Sequence, residues 1–139
     1  MPHSKIPSRS VILHIPKDVN ATIEEFMRDT RKYAFMCHSK LLAAWWAYFQ
    51  YDTMPVDELA ESILNDGNFK KLSSWDYKNA NVFEETSIPV QLAIREQMRS
   101  VAHIMNVSYQ KVVLYCWNQI AYDIRSGLFT YKVFENIDK

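Results

Sequence analysis

The stretch RSVILHIPKDVNATIEEFMRDTRKYAFMCHSKLLAAWW, residues 9–46, decides the fold. It opens with alternation. Val11, Leu13 and Ile15 point to one side of an extended chain, and Ser10, Ile12 and His14 to the other. Pro16 lacks an N–H and fixes φ, so it ends the pairing. From Asp18 the period lengthens: Val19, Ile23, Phe26, Thr30 and Tyr33 share one helical face, with Glu24, Glu25, Arg28, Asp29 and Arg31 around the rest. A break falls at residues 36–39, where Cys37 or Ser39 can cap the next helix and Ser39 is the better capping residue. That helix, about residues 40–51, is apolar nearly all round and must be buried on most sides. So short a strand needs a partner. The expected partner is the same strand of a second copy, with surplus apolar surface buried between subunits.

On the N-terminal side, residues 1–8 hold Pro2, Pro7 and polar residues and read as a mobile arm. On the other side, residues 53–67 predict a helix. Pro55 suits its first turn, Asp57 and Glu58 complement its dipole, Leu59, Ile63 and Leu64 form its stripe, and Asn65-Asp66-Gly67 ends it. Residues 68–88 read as an irregular connector anchored by Trp75, Tyr77 and Phe83, long enough to hold a short strand or helical turn. The last third holds two helices. The first, about residues 91–106, carries Ile94, Met98, Val101, Ala102 and Met105 on one face; the second starts at a Ser108 cap and ends at Gly127. Residues 128–137 read as a strand or an extended arm. The expected fold is mainly α: a short N-terminal strand pairing across a dimer, then about five helices. Its parts are residues 1–52, 53–88 and 89–139.

Composition is that of a globular chain: 48% hydrophobic, 14% aromatic and 23% charged. Zero net charge does not favour a nucleic-acid binder, but the charge is uneven. Residues 1–40 hold seven Lys/Arg against four Asp/Glu, residues 41–89 three against eight, and residues 90–139 six against four. The four histidines lack metal-ligand spacing, the two glycines form no phosphate loop, and no nucleophile is marked by a motif. No enzyme, metal or cofactor is therefore expected. Trp45 and Trp46 read as core, and Met27, Met36, Met98 and Met105 as core filling. Cys37 and Cys116 read as buried, reduced thiols. With no signal peptide, and a longest apolar run of residues 41–49, the chain is expected to be cytoplasmic and free of membrane.

The junction Ile15-Pro16-Lys17-Asp18-Val19 and the turn Met36-Cys37-His38-Ser39-Lys40-Leu41-Leu42 resemble those of the ribbon-helix-helix DNA-binding family. The resemblance implies a homodimer that inserts a two-stranded ribbon into the major groove of double-stranded DNA. It implies that Ser10, Ile12 and His14 face the bases. Backbone N–H groups near His38, Ser39 and Lys40 would meet a phosphate, and Lys5 and Arg9 would add backbone contacts. The role implied is a transcriptional regulator or an accessory factor at a plasmid or phage site. Residues 101–112, VAHIMNVSYQKV, resemble a helix-turn-helix, or the helical half of a second ribbon-helix-helix unit. In the latter case Thr86-Ser87-Ile88-Pro89 echoes His14-Ile15-Pro16, and the chain resembles the tandem accessory proteins of relaxosomes, although Glu84 and Glu85 there repel phosphate. The competing reading is a helical protein-binding module, such as a mobile-element-encoded inhibitor. It would meet a protein partner through the acidic middle or the C-terminal helices.

Overall fold

Alternation sets the first strand. β1, Ser8–Pro16, buries Val11, Leu13 and Ile15 and exposes Ser10, Ile12 and His14. The computed structural model describes residues 7–30 and 36–134 of the chain. Lys5 of the N-terminal arm, and Arg31 and Tyr33 of the expected first helix, lie outside the described residues. α1, Lys17–Thr30, follows without a break and buries Val19, Ile23, Phe26 and Thr30, as its period predicts. α2, His38–Tyr48, buries Leu41, Leu42, Trp45 and Trp46. Its N-cap is Cys37, in extended conformation and making no side-chain cap bond; Ser39, the better capping type, sits inside the first turn. Cys37 is therefore half-buried at a helix end, and only Cys116 is a fully buried thiol.

The middle of the chain departs from its reading. α3, Val56–Leu64, stops earlier than the predicted helix, with Asn65 as its C-cap. Asp66 instead accepts from Asn68 N and caps a second helix, α4, Gly67–Lys71, so Gly67 starts a helix rather than ending one. A 3₁₀ turn, Leu72–Ser74, continues it. The supposed connector then becomes β2, Phe83–Gln91, and runs straight into α5, Leu92–Met105. Asn106 ends α5 in the left-handed region (φ 58°), and Ser108 caps α6, Tyr109–Arg125, by accepting from Lys111 N. Among the described residues of the tail, 128–134, there is no strand; residues 135–137 of the expected strand or arm lie outside the described residues. Phe129 and Phe134 fold back onto Phe26 through a 3₁₀ turn, Tyr131–Phe134. The described residues thus hold six α-helices where about five were expected.

The main correction concerns the partner of β1. It pairs antiparallel with β2 of the same chain, from Ser8 opposite Gln91 to Pro16 opposite Phe83. The chain carries its own second strand, so the ribbon needs no second copy. The two strands belong to an internal repeat. β1 and β2 start at 8 and 83, α1 and α5 start at 17 and 92, and these helices end at 30 and 105, each pair 75 positions apart. The same spacing relates the bonds that close the ladder, Lys17 N to Val82 O (2.8 Å) and Leu92 N to Pro7 O (3.0 Å). It also relates the buried positions Val19 and Ile94, Ile23 and Met98, Phe26 and Val101, Met27 and Ala102, and Thr30 and Met105. The second connection is four residues shorter, so α2 and α6 start at 38 and 109. Leu41, Leu42 and Trp46 then match Val112, Val113 and Trp117. Ile12 pairs with Ser87, which is also its equivalent in the repeat, so a local two-fold axis passes through that pair. α2 packs on β2 and α6 packs on β1, which interlocks the halves around one core.

Buried polar groups pin this interlock. Asn20 Nδ2 donates to Glu84 Oε2 (2.7 Å) and Thr86 Oγ1 (2.6 Å), and its Oδ1 accepts from Trp117 Nε1 (3.1 Å). One amide thus joins α1, β2 and α6, and its removal would strand the buried Trp117 N–H. Asp123 accepts from Trp45 Nε1 at 2.8 Å and ties α6 to α2. Burial lifts its carboxyl above the usual range, against the opposing pull of the Trp45 and Gln119 hydrogen bonds.

Two outcomes are expected. Because the ribbon closes within one chain, the thermal midpoint should not move on roughly hundredfold dilution, whereas a two-copy ribbon would lose stability by mass action. Because Asp123 binds its proton more tightly when folded, it costs stability as pH rises from the ordinary carboxylate range through its raised value. Asp123→Asn keeps an acceptor for Trp45. In urea titrations it should match the native chain in acid and be the more stable protein at neutral pH.

Candidate functional site

Strand parity builds the candidate surface. The closing bonds of Lys17 and Leu92 make Leu13–Thr86, Val11–Ile88 and their alternates the hydrogen-bonded pairs. Ser10–Pro89, Ile12–Ser87 and His14–Glu85 are then non-hydrogen-bonded pairs, whose side chains approach more closely. Pro89, read from sequence as a strand end like Pro16, lies inside β2 at a position that owes the ladder no N–H. The inner pairs place Val11, Leu13, Ile15, Ile88 and Val90 in the core. The outer row is exposed in all three β1 positions, Ile12 at 53%. An isoleucine held that far into solvent on a ribbon gains nothing from the core.

All three residues expected to face a ligand from β1 therefore share one open face. Half of that face is different from the expectation. A two-copy ribbon would show Ser10, Ile12 and His14 twice; here the second half is Glu85, Ser87 and Pro89. These three were not singled out as site residues. Their signal was the repeat, which the echo of His14-Ile15-Pro16 in residues 86–89 caught two positions out of register, because the two strands share almost no identical residues. His14 Nε2 lies 3.9 Å from Glu85 Oε2, with both side chains more than half exposed. Arg9 is exposed too, although its register is that of the inner row opposite Val90.

The start of α6 lies beside the ribbon, and α2 packs on β2. His38, Ser39 and Lys40 form the first turn of α2, as expected, and are half-buried. The His38 ring is already engaged: Nε2 is 2.9 Å from Glu24 Oε1, and the ring stands edge-on to Trp117. The Ser39 hydroxyl lies 3.4 Å from Cys37 Sγ. The equivalent start of α6 is tied to the ribbon centre, where Gln110 Nε2 donates to Ile12 O (2.8 Å). Lys111 donates to Ser73 Oγ (3.0 Å) and lies over the Phe69 ring. A groove of about 300 Å³ opens here, lined by Ile12, His14, Ser73, Ser108, Gln110 and Lys111 among others. Among the described residues no group of three or more His, Cys, Asp or Glu is placed to hold a metal ion. No helix there is long and apolar enough to cross a membrane. Comparison with protein-family models, curated proteins and solved structures found no match.

The two faces of the ribbon make opposite predictions. Leu13→Ala should cost about 2–5 kcal/mol in urea unfolding, as for a buried leucine. Ile12→Ala, one residue away, should stay within about 0.5 kcal/mol. Equal costs would mean that the row is not free for a ligand.

Proposed function

We propose that this chain is a DNA-binding protein that carries both halves of a ribbon-helix-helix-like unit in one polypeptide and sets its ribbon into the major groove. One observation carries this reading: a two-stranded row, exposed Ser10, Ile12 and His14 beside exposed Glu85 and Ser87 and half-buried Pro89, stands on a local two-fold axis with the start of α6 alongside and its equivalent helix α2 packed on β2. A major groove admits a two-stranded ribbon, and helix N-termini suit phosphate. The partner is double-stranded DNA. A homodimer is not needed to complete the ribbon. The role is that of a regulator or accessory factor at a DNA site, in the cytoplasm. Lys40 and Lys111 on the two helix starts and Arg9 on the strand supply positive charge near the row.

A second reading has its own support. Glu85 in the row and zero net charge both oppose phosphate and suit a protein partner. Gel retardation with pooled duplexes separates the two. The DNA reading expects binding that weakens by roughly a hundredfold between about 50 and 200 mM salt. It expects His14→Ala to reduce the preference for a selected site more than it reduces binding to random duplex. No retardation even at low salt would leave the protein-binding reading in its place.

A further inference from the structure

We propose that the ribbon reads a single oriented, non-palindromic duplex site, with its His14–Glu85 end on a C·G pair and its Ser10–Pro89 end on A·T base pairs. This rests on the DNA reading above and specifies the sequence class that it would take.

The repeat equates Ser10 with Glu85, Ile12 with Ser87, and His14 with Pro89. No outer position keeps its chemistry across the axis. The two fully buried inner matches do: Leu13 with Ile88, and Ile15 with Val90; nearer the strand ends Val11 matches Thr86 and Arg9 matches Glu84. The backbone is thus two-fold where it packs, and the groups offered outward are not. Two copies of one strand would present identical ends to the two half-sites of a palindrome. This ribbon has one polar end and one apolar end.

At the polar end, His14 and Glu85 form a closely spaced cross-strand pair, 3.9 Å between Nε2 and Oε2. In the major groove a C·G pair shows two acceptors on guanine, O6 and N7, and one donor on cytosine, N4. An imidazole N–H beside a carboxylate complements that pattern: His14 donates to guanine and Glu85 accepts from cytosine. A carboxylate aimed at the backbone would be repelled by phosphate. In the row that faces the groove floor, it instead finds one of the few donors that DNA offers. At the other end, Pro89 has no N–H to donate and presents an apolar ring opposite the Ser10 hydroxyl. Those groups suit a thymine methyl and its neighbouring acceptor. Ile12 and Ser87 repeat the combination at the centre. The surroundings are unequal as well. Residues 49–82 occur once in the repeat, and their Ser73 and Phe69 hold Lys111 at the groove beside His14 and Ile12.

The test is selection of duplexes from a random library by the full chain, repeated with Glu85→Gln. Glu85 is well exposed, so the substitution spares the core. The expected consensus lacks an inverted repeat and holds an invariant C·G pair toward one end and A·T pairs toward the other. With Glu85→Gln, the cytosine preference should fall about tenfold and shift toward adenine, the base glutamine pairs with. An inverted-repeat consensus, binding without any enriched sequence, or an unchanged cytosine preference in Glu85→Gln would each overturn this proposal while leaving DNA binding intact. Failure to retard any duplex at low salt would overturn the DNA reading itself.

Discussion

Everything in this molecule depends on the register of β1 against β2. Because strand side chains alternate, a slip of one residue would turn Val11, Leu13 and Ile15 out to water and drive Ser10, Ile12 and His14 into the core. Two strands alone hold a register weakly. The helices hold it here. Asn20 reaches from α1 to both Glu84 and Thr86, two same-face positions of β2, and an adjacent register would present it with neither. Gln110 fastens α6 to the carbonyl of Ile12 at the centre of the ribbon. The exposed row is therefore fixed by contacts made on the other face and along the edge, which leaves its own side chains uncommitted to folding.

The first half of the fold was legible in the sequence because its signals are local. Alternation gave β1, the three-to-four period gave α1, and Ser108 with Asn106 framed the start of α6. The expected base-facing residues Ser10, Ile12 and His14 followed from the same alternation and do share one open face. β2 was legible only in part, as the echo at Thr86-Ser87-Ile88-Pro89; its full length and its partner were not, because those signals are non-local. Glu84, Glu85 and Pro89 disfavour a strand by propensity; Glu84 is accommodated by Asn20, and Pro89 by a pair that needs no ladder bond. Neither condition can be seen without the partner strand. Of the two caps offered for α2, Cys37 takes the position and the preference for Ser39 failed for a related reason. Tertiary burial of Leu41, Leu42, Trp45 and Trp46 sets where that helix begins, and the intrinsic preference for serine over cysteine is too small to move it.

The aromatic surplus invited a subunit interface, and the fold absorbs much of it internally. Trp45, Trp46 and Trp117 are nearly inaccessible, and Phe129 and Phe134 close the far end of the core against Phe26. Each indole also meets a polar acceptor: Asp123, Gln97 and Asn20 respectively. Large side chains with one polar atom are usually buried where that atom is satisfied. The indoles thus act as struts between elements as well as apolar mass. This explains how the described residues bury so many of the large aromatic side chains around one core.

Joining the two halves covalently changes what the ribbon can become. In a ribbon made from two copies, one codon sets both ends, and any side chain placed at one end appears at the other. Here the two strands are separate stretches of one chain, so the outer row can differ across the axis while the packing stays two-fold. The constraint that remains acts on shape. Leu13 and Ile88, Ile15 and Val90, and Ile23 and Met98 exchange one apolar residue for another of similar volume, while Phe26 with Val101, Met27 with Ala102 and Thr30 with Met105 trade volume between the halves. No such demand falls on Ser10 against Glu85 or His14 against Pro89, which touch solvent. Linkage also removes the translational and rotational cost of bringing two strands together. That freedom makes it feasible for the ribbon to carry an acidic residue and a proline, neither of which contributes to its pairing.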